Sequence, residues 1–268
     1  MEPKRLHGLA LPWRGRAEKG EGFSRQNPCF PLPFLRADGM IGVAKKGETR
    51  LLPKERHAMK EDIIRRIEEA KLCAIVRGLP VEHVRPVAEA LLSGGVRVIE
   101  VTFDTPGAKD MIEIIKRDYG DRMLVGAGTV LDTETARTAI LSGADFLLAP
   151  TLNTAVIELC NRYSKLAVPG VMTPTEILTA LEAGAGIVKV FPAGALGPGY
   201  IKDVLGPLKQ ARIMAVGGVS LENCDKFLQA GACSVGIGSQ LVGKKLVDVG
   251  DYEAIRALAG RFVEKLKA

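Results

Sequence analysis

The chain has 268 residues, 47% of them hydrophobic and 25% charged. That mixture excludes a collagen-like, mucin-like or globally disordered chain, and the length fits one α/β barrel, one large doubly wound domain or two small domains. The formal net charge of +6 is not spread evenly, since residues 1–58 carry 12 Lys/Arg against 6 Asp/Glu while residues 59–268 carry 25 of each. The body therefore has no basic footprint for nucleic acid. Five cysteines, at 29, 73, 160, 224 and 233, show no close paired spacing. That usage argues against a disulfide scaffold and leads us to expect a cytoplasmic protein.

Residues 1–58 contain 6 Pro, 7 Gly and the only Trp, Trp13, with no sustained helical or strand period. Stretches such as Pro28-Cys29-Phe30-Pro31-Leu32-Pro33 resist both helix and central strand, because proline lacks an N–H and restricts its predecessor. An irregular or disordered extension is expected here, with Met40 or Met59 as alternative starts. A targeting segment and a nucleic-acid-binding tail are the competing readings. No run of 18 apolar residues occurs, so no membrane span is expected.

From residue 59 the pattern changes. Ile63, Ile64, Ile67 and Ala70 predict a one-sided helix over 60–71. Eight short apolar runs follow as predicted strands, at 72–76, 97–102, 123–126, 145–148, 165–168, 187–190, 212–216 and 234–237. Amphipathic stretches separate them, as in Val84, Val87, Ala88 and Leu91. Thr173, Pro174 and Glu176 read as N-cap, first-turn proline and capping-box acid. Ser93-Gly94-Gly95, Ser142-Gly143-Ala144, Glu182-Ala183-Gly184 and Gln229-Ala230-Gly231 read as glycine C-caps turning back into a strand. Repetition of this unit predicts an α/β fold, a (β/α)8 TIM barrel with an extra N-terminal helix, preceded by the irregular extension. The domain boundary is expected between residues 58 and 59. A doubly wound sheet is the alternative. Gly126-Ala127-Gly128 lacks the third glycine of a dinucleotide fingerprint.

Barrel chemistry collects at the C-terminal strand ends, so charged residues inside strands stand out. Lys189, in Ile187-Val188-Lys189-Val190-Phe191, shares a face with Ile187 and Phe191. Burial of an ammonium is costly unless it is paired or deprotonated, and a desolvated neutral amine is what attack on a ketone needs. Glu100 shares its strand face with Val98 and Thr102, and a carboxyl on strand 2 can approach an amine on strand 6 across the interior. Such a pair suits imine formation with proton relay, or else a purely structural ion pair. Gly217 and Gly218 after strand 7, with Gly238 and Ser239 after strand 8, form a candidate phosphate cradle or simply tight turns. Arg77 can clamp a carboxylate and Thr129 can donate a hydroxyl. His83 falls in a helical first turn, and no His/Asp/Glu cluster is spaced for a catalytic metal.

Six segments, in this order, carry a specific likeness: Ala74-Ile75-Val76-Arg77; Gly94-Gly95-Val96 through Glu100-Val101-Thr102; Gly126-Ala127-Gly128-Thr129-Val130; Pro169-Gly170-Val171-Met172-Thr173-Pro174-Thr175-Glu176; Val188-Lys189-Val190-Phe191-Pro192-Ala193; and Gly217-Gly218-Val219. Residues 60–268 resemble the 2-keto-3-deoxy-6-phosphogluconate / 4-hydroxy-2-oxoglutarate aldolase family of class I aldolases. The resemblance implies Lys189 as the Schiff-base lysine and Glu100 as the general acid/base. It places the keto acid near Arg77, Thr129 and Pro150, with Phe191 beside the lysine, and the phosphate at Gly217, Gly218, Gly238 and Ser239. It implies no cofactor, a small 2-keto acid as partner, and a homotrimer. Two positions depart from the family. Asp104 stands where many members have an arginine for the pyruvyl carboxylate, and Val216 replaces a threonine before the glycine pair. Aldol cleavage of the 6-phosphorylated keto acid is the expected reaction. An aldolase for a non-phosphorylated or epimeric substrate, a phosphosugar isomerase or epimerase, and a non-catalytic phosphometabolite-binding barrel are the alternatives.

Overall fold

The computed structural model describes residues 53–267. The expectations for residues 1–52, including an irregular extension and a start at Met40, lie outside the described residues. Helix α1 runs Pro53–Ala70, so the boundary expected between 58 and 59 falls within a helix. Proline fits that first position because a first-turn N–H has no intrahelical partner.

The strands are β1 (Leu72–Val76), β2 (Val98–Thr102), β3 (Leu124–Gly128), β4 (Phe146–Leu148), β5 (Leu166–Val168), β6 (Gly170–Val171), β7 (Val188–Val190), β8 (Ile213–Val216) and β9 (Ser234–Ile237). The helices between and after them are α2 (Val84–Ser93), α3 (Ala108–Tyr119), α4 (Thr133–Leu141), α5 (Thr154–Arg162), α6 (Pro174–Glu182), α7 (Ala193–Leu205), α8 (Cys224–Gln229), α9 (Lys244–Asp248) and α10 (Tyr252–Lys267). All the strand pairs are parallel, in the order β5-β4-β3-β2-β1-β9-β8-β7-β6. The two ends of that order are consecutive in the chain, so the sheet curls round into a barrel. Eight strands were expected and nine segments are found, because Pro169 splits the fifth. It cannot donate to a ladder, although its carbonyl still accepts from the Lys189 N–H at 2.8 Å.

The two faces of the sheet bury different layers. Ala74, Val76, Ile99, Val101, Val188 and Val190 pack outward under the helices. Cys73, Ile75, Val98, Phe146, Ile187 and Met214 fill the interior. Ile63, Ile64 and Ile67 of α1 belong to this interior cluster, so α1 closes the floor of the barrel. Lys60 fastens it there, donating to the Asn161 side chain at 2.9 Å and to the Gly184 carbonyl at 2.5 Å. Phe146 fits because its neighbour in register is Gly126, where a Cβ would lie 2.3 Å from the ring.

The repeated helix ends share one geometry. Gly95, Gly143, Gly184 and Gly231 have φ between 93° and 104°. The N–H that follows each one reaches back five residues, as Val96 does to Leu91 and Ala185 to Ala180. Thr173 and Glu176 form the expected capping box on α6. Among the described residues, no helix is long and apolar enough to cross a membrane. Ile64→Ala should remove about 2–5 kcal/mol of stability by opening a cavity in the floor. This is measured as a lower urea midpoint, and an unchanged midpoint would contradict the role given to α1.

Candidate active site

Lys189 is 4% exposed and Glu100 1%. In register, Lys189 lies beside Gly170 and Met214, and Glu100 beside Ile75 and Gly126. Both side chains sit on the interior face, as alternation along their strands requires. Their strands lie on different sides of the barrel, which brings amine and carboxyl toward a common interior space.

Glu100 is held by shape more than by hydrogen bonds. A Cβ on Gly128 would lie 1.6 Å from its Oε1, so the carboxyl rests directly on that glycine. Its Oε2 is buried with no hydrogen-bond partner. Burial pushes the Glu100 pKa above its ordinary 4.5. The positive charges of Lys189 and Arg77 pull it back down, and Asp104 pushes it up. A carboxyl whose charged form burial disfavours holds its proton more firmly than an exposed one, which suits a group that must give a proton and take it back.

The Lys189 Nζ lies 5.2 Å from the centroid of the Phe191 ring. Both line a cavity of about 330 Å3, together with Arg77, Gly217, Gly218, Gly238 and Ser239. Gly217 and Gly218 have φ of 85° and 73°. A side chain at Gly217 would also strike Phe191. The carbonyls of these loops are engaged elsewhere. Gly217 accepts from the Gly194 N–H at 2.7 Å, Gly218 from Asn223 at 3.1 Å, and Gly238 from Leu241 and Val242 at 2.8 and 2.9 Å. Oxygens that would repel an anion are thereby occupied, which suits a cradle lined by backbone N–H groups.

Arg77 has two partners at the mouth. Its Nη2 donates to Thr129 Oγ1 at 3.1 Å, and its Nε lies 3.6 Å from Asp104 Oδ2. Asp104 is thus directed at Arg77, an electrostatic partner that spacing alone did not reveal. Thr129 adopts φ 56°, an uncommon conformation for a β-branched residue. Thr105 ties the neighbouring loops, accepting from the Gly78 N–H at 2.8 Å and lying 3.0 Å from the Thr102 hydroxyl. Pro150 stands at the end of β4, where its backbone abuts Gly170, and it is not part of the cavity wall. His83 lies in a short 3-10 turn, with Nδ1 2.6 Å from the Tyr252 hydroxyl. Gln240 and Lys244, which also line the cavity, were not singled out by sequence, and Gly128 was read there only as part of a motif and not as the seat of Glu100. Among the described residues, no three His, Cys, Asp or Glu side chains converge as a metal site.

Two outcomes follow from the seat of Glu100. Gly128→Ala should displace the carboxyl and lower kcat by about 100-fold while circular dichroism stays native. A kcat within about twofold of wild type would show that the seat does not matter. Because folding raises the Glu100 pKa, the carboxyl's contribution to stability is full below about pH 4 and is lost as pH rises through the folded value. Wild type should therefore lose stability relative to Glu100→Gln as urea unfolding is moved from acid to neutral pH, and a pH-independent difference would contradict it.

The family model for KDPG and KHG aldolase matches residues 63–258. The 2-dehydro-3-deoxy-phosphogluconate aldolase of Haemophilus influenzae is 35% identical over 208 residues, covering 77% of this chain and 98% of that one. The 2-dehydro-3-deoxy-6-phosphogalactonate aldolase of Escherichia coli K12 is 36% identical over 171 residues, covering 63% and 83%. The crystal structure of KDPG aldolase from Legionella pneumophila, with pyruvate captured as a covalent carbinolamine intermediate, superposes with a TM-score of 0.68. It is 26% identical and covers 79% of this chain and 98% of its own. The chain belongs to the KDPG and KHG aldolase family and is a class I aldolase, a carbon–carbon lyase acting on a 2-keto acid.

Proposed function

We propose that this enzyme cleaves 2-keto-3-deoxy-6-phosphogluconate to pyruvate and glyceraldehyde 3-phosphate, with 4-hydroxy-2-oxoglutarate, cleaved to pyruvate and glyoxylate, as a second substrate. The observation that carries the reading is one cavity lined both by Lys189 and by the glycine loops Gly217-Gly218 and Gly238-Ser239. The neutral Lys189 amine attacks C2 of the keto acid. Glu100 delivers a proton to the C2 hydroxyl of the carbinolamine, water leaves, and an iminium forms. Glu100, now a carboxylate, takes the C4 hydroxyl proton directly or through water. The C4 carbonyl forms as the C3–C4 bond breaks, and its electron pair moves into the iminium to give an enamine. Protonation at C3 and hydrolysis release pyruvate and restore the amine. Arg77, with Thr129, binds the substrate carboxylate and Phe191 shields the lysine, while Pro150, which stands outside the cavity wall, acts on the keto acid only through the loop after β4. The two glycine loops and Ser239 hold the phosphate.

Borohydride with pyruvate should leave a covalent adduct on Lys189, seen by intact mass and peptide mapping. An unmodified protein would remove the imine assignment and favour an isomerase or a binding barrel. Glu100→Gln should lower kcat by about 10²–10⁴-fold. The C4-epimeric 2-keto-3-deoxy-6-phosphogalactonate is the second reading, supported by the 36% identity to an aldolase named for it. Relative kcat/KM on the two epimers, each with and without the 6-phosphate, decides between them.

We read residues 59–268 as the aldolase domain and the assembly as a homotrimer. The unpaired Cys73, Cys160, Cys224 and Cys233 suit a cytoplasmic setting. A chain begun at Met59 keeps Ile63, Ile64 and Ile67, so its kcat/KM should match the full chain within about twofold, against a large loss if residues 1–58 serve catalysis.

A further inference from the structure

The cavity wall holds three basic side chains, Arg77, Lys189 and Lys244, and no carboxylate. Lys189 and Arg77 are taken by the reacting keto acid in the reading above. Lys244, the first residue of α9, borders the same cavity, as do Ser239 and Gln240. Backbone N–H groups alone supply partial charges, whereas a phosphate dianion is bound most strongly by a full positive charge able to hydrogen-bond to it. The two glycine loops leave that charge to a side chain.

The Lys244 side chain is free to supply it. Its Nζ lies 2.9 Å from Asp248 Oδ1, one turn along the same helix, and the lysine side chain is 79% exposed. An exposed pair of this spacing is worth about 0.3–0.5 kcal/mol, much less than a charge-assisted bond to phosphate in a partly enclosed cleft. Exchange of Asp248 for a substrate phosphate therefore costs little. It needs only rotation about the lysine side-chain bonds, since the residue already borders the cavity.

We infer that Lys244 binds the phosphate of the substrate and is a specificity-determining residue for phosphorylated over unphosphorylated 2-keto acids. The inference rests on the phosphorylated-substrate reading above and adds to it a residue from α9, outside the two glycine loops. The test compares wild type, Lys244→Met and Asp248→Asn on 2-keto-3-deoxy-6-phosphogluconate and on its dephosphorylated counterpart. Lys244→Met should lower kcat/KM for the phosphate ester about tenfold, mainly through KM, and leave the unphosphorylated substrate within about twofold. Inhibition by inorganic phosphate should weaken in parallel, and the salt dependence of KM for the ester should flatten. Asp248→Asn should lower KM for the ester and leave the other substrate unchanged. If wild type favours the ester and Lys244→Met keeps that preference, the role of Lys244 is overturned while the phosphate reading stands. If wild type shows no preference, both fall together.

Discussion

A carboxyl and an amine are kept out of water inside one closed sheet without collapsing onto each other. Their strands, β2 and β7, are separated in the barrel, so the sheet and not the attraction between the groups sets their spacing. A tight buried ion pair would hold each partner in a fixed charge state and resist removal of either. Here Glu100 Oε2 is buried without a partner, yet the carboxyl still feels the charge of Lys189. The carboxyl is thus left with its proton affinity raised by burial and not cancelled by a direct ion pair. Stability is given up at this point, and the apolar interior around Phe146 and the α1 floor offset it.

The same logic explains why glycine appears on interior strand faces that otherwise take large residues. Gly126 makes room for Phe146, which fills the barrel below the site, and Gly128 makes room for the Glu100 carboxyl above it. A one-atom difference at the second position decides whether the carboxyl occupies its seat. Strain at Thr129, the next residue, fits the same economy of space: φ 56° lets its hydroxyl meet Arg77 at the mouth of the barrel.

Much of this was legible in the chain itself. Strands buried on both faces write themselves as short apolar runs, so β1 and β9 match the expected bounds and a lysine among valines stands out at once. The glycine C-caps and the Thr173 capping box were readable because they are local. What depended on distant partners was not. Pro169 looked like the end of a strand, whereas pairing with β7 continues beyond it through β6. The start of α1 at Pro53 was hidden by a proline-rich, polar context, although that helix seals the barrel. Asp104 read only as a departure from the family's arginine because its partner, Arg77, lies 27 positions away and meets it only after β1 and β2 align.

That ion pair also changes how binding energy is divided along the cavity. In the proposed binding mode the keto acid's carboxylate is taken by Arg77, already shared with one carboxylate and one hydroxyl. Exposed pairs of this kind are weak, so Arg77 can be recruited by substrate, but its net attraction is reduced by the neighbour it must partly release. On that reading the keto acid's carboxylate is weakly anchored, and a weak anchor there is not a defect. Binding energy realised at the far, non-reacting end of a substrate can hold C2 against the amine without stabilising the ground state of the bond to be broken. On the proposed reading, the acidic residue at position 104 and Lys244 beside the glycine loops are two parts of one arrangement, in which the keto group is positioned from its tail.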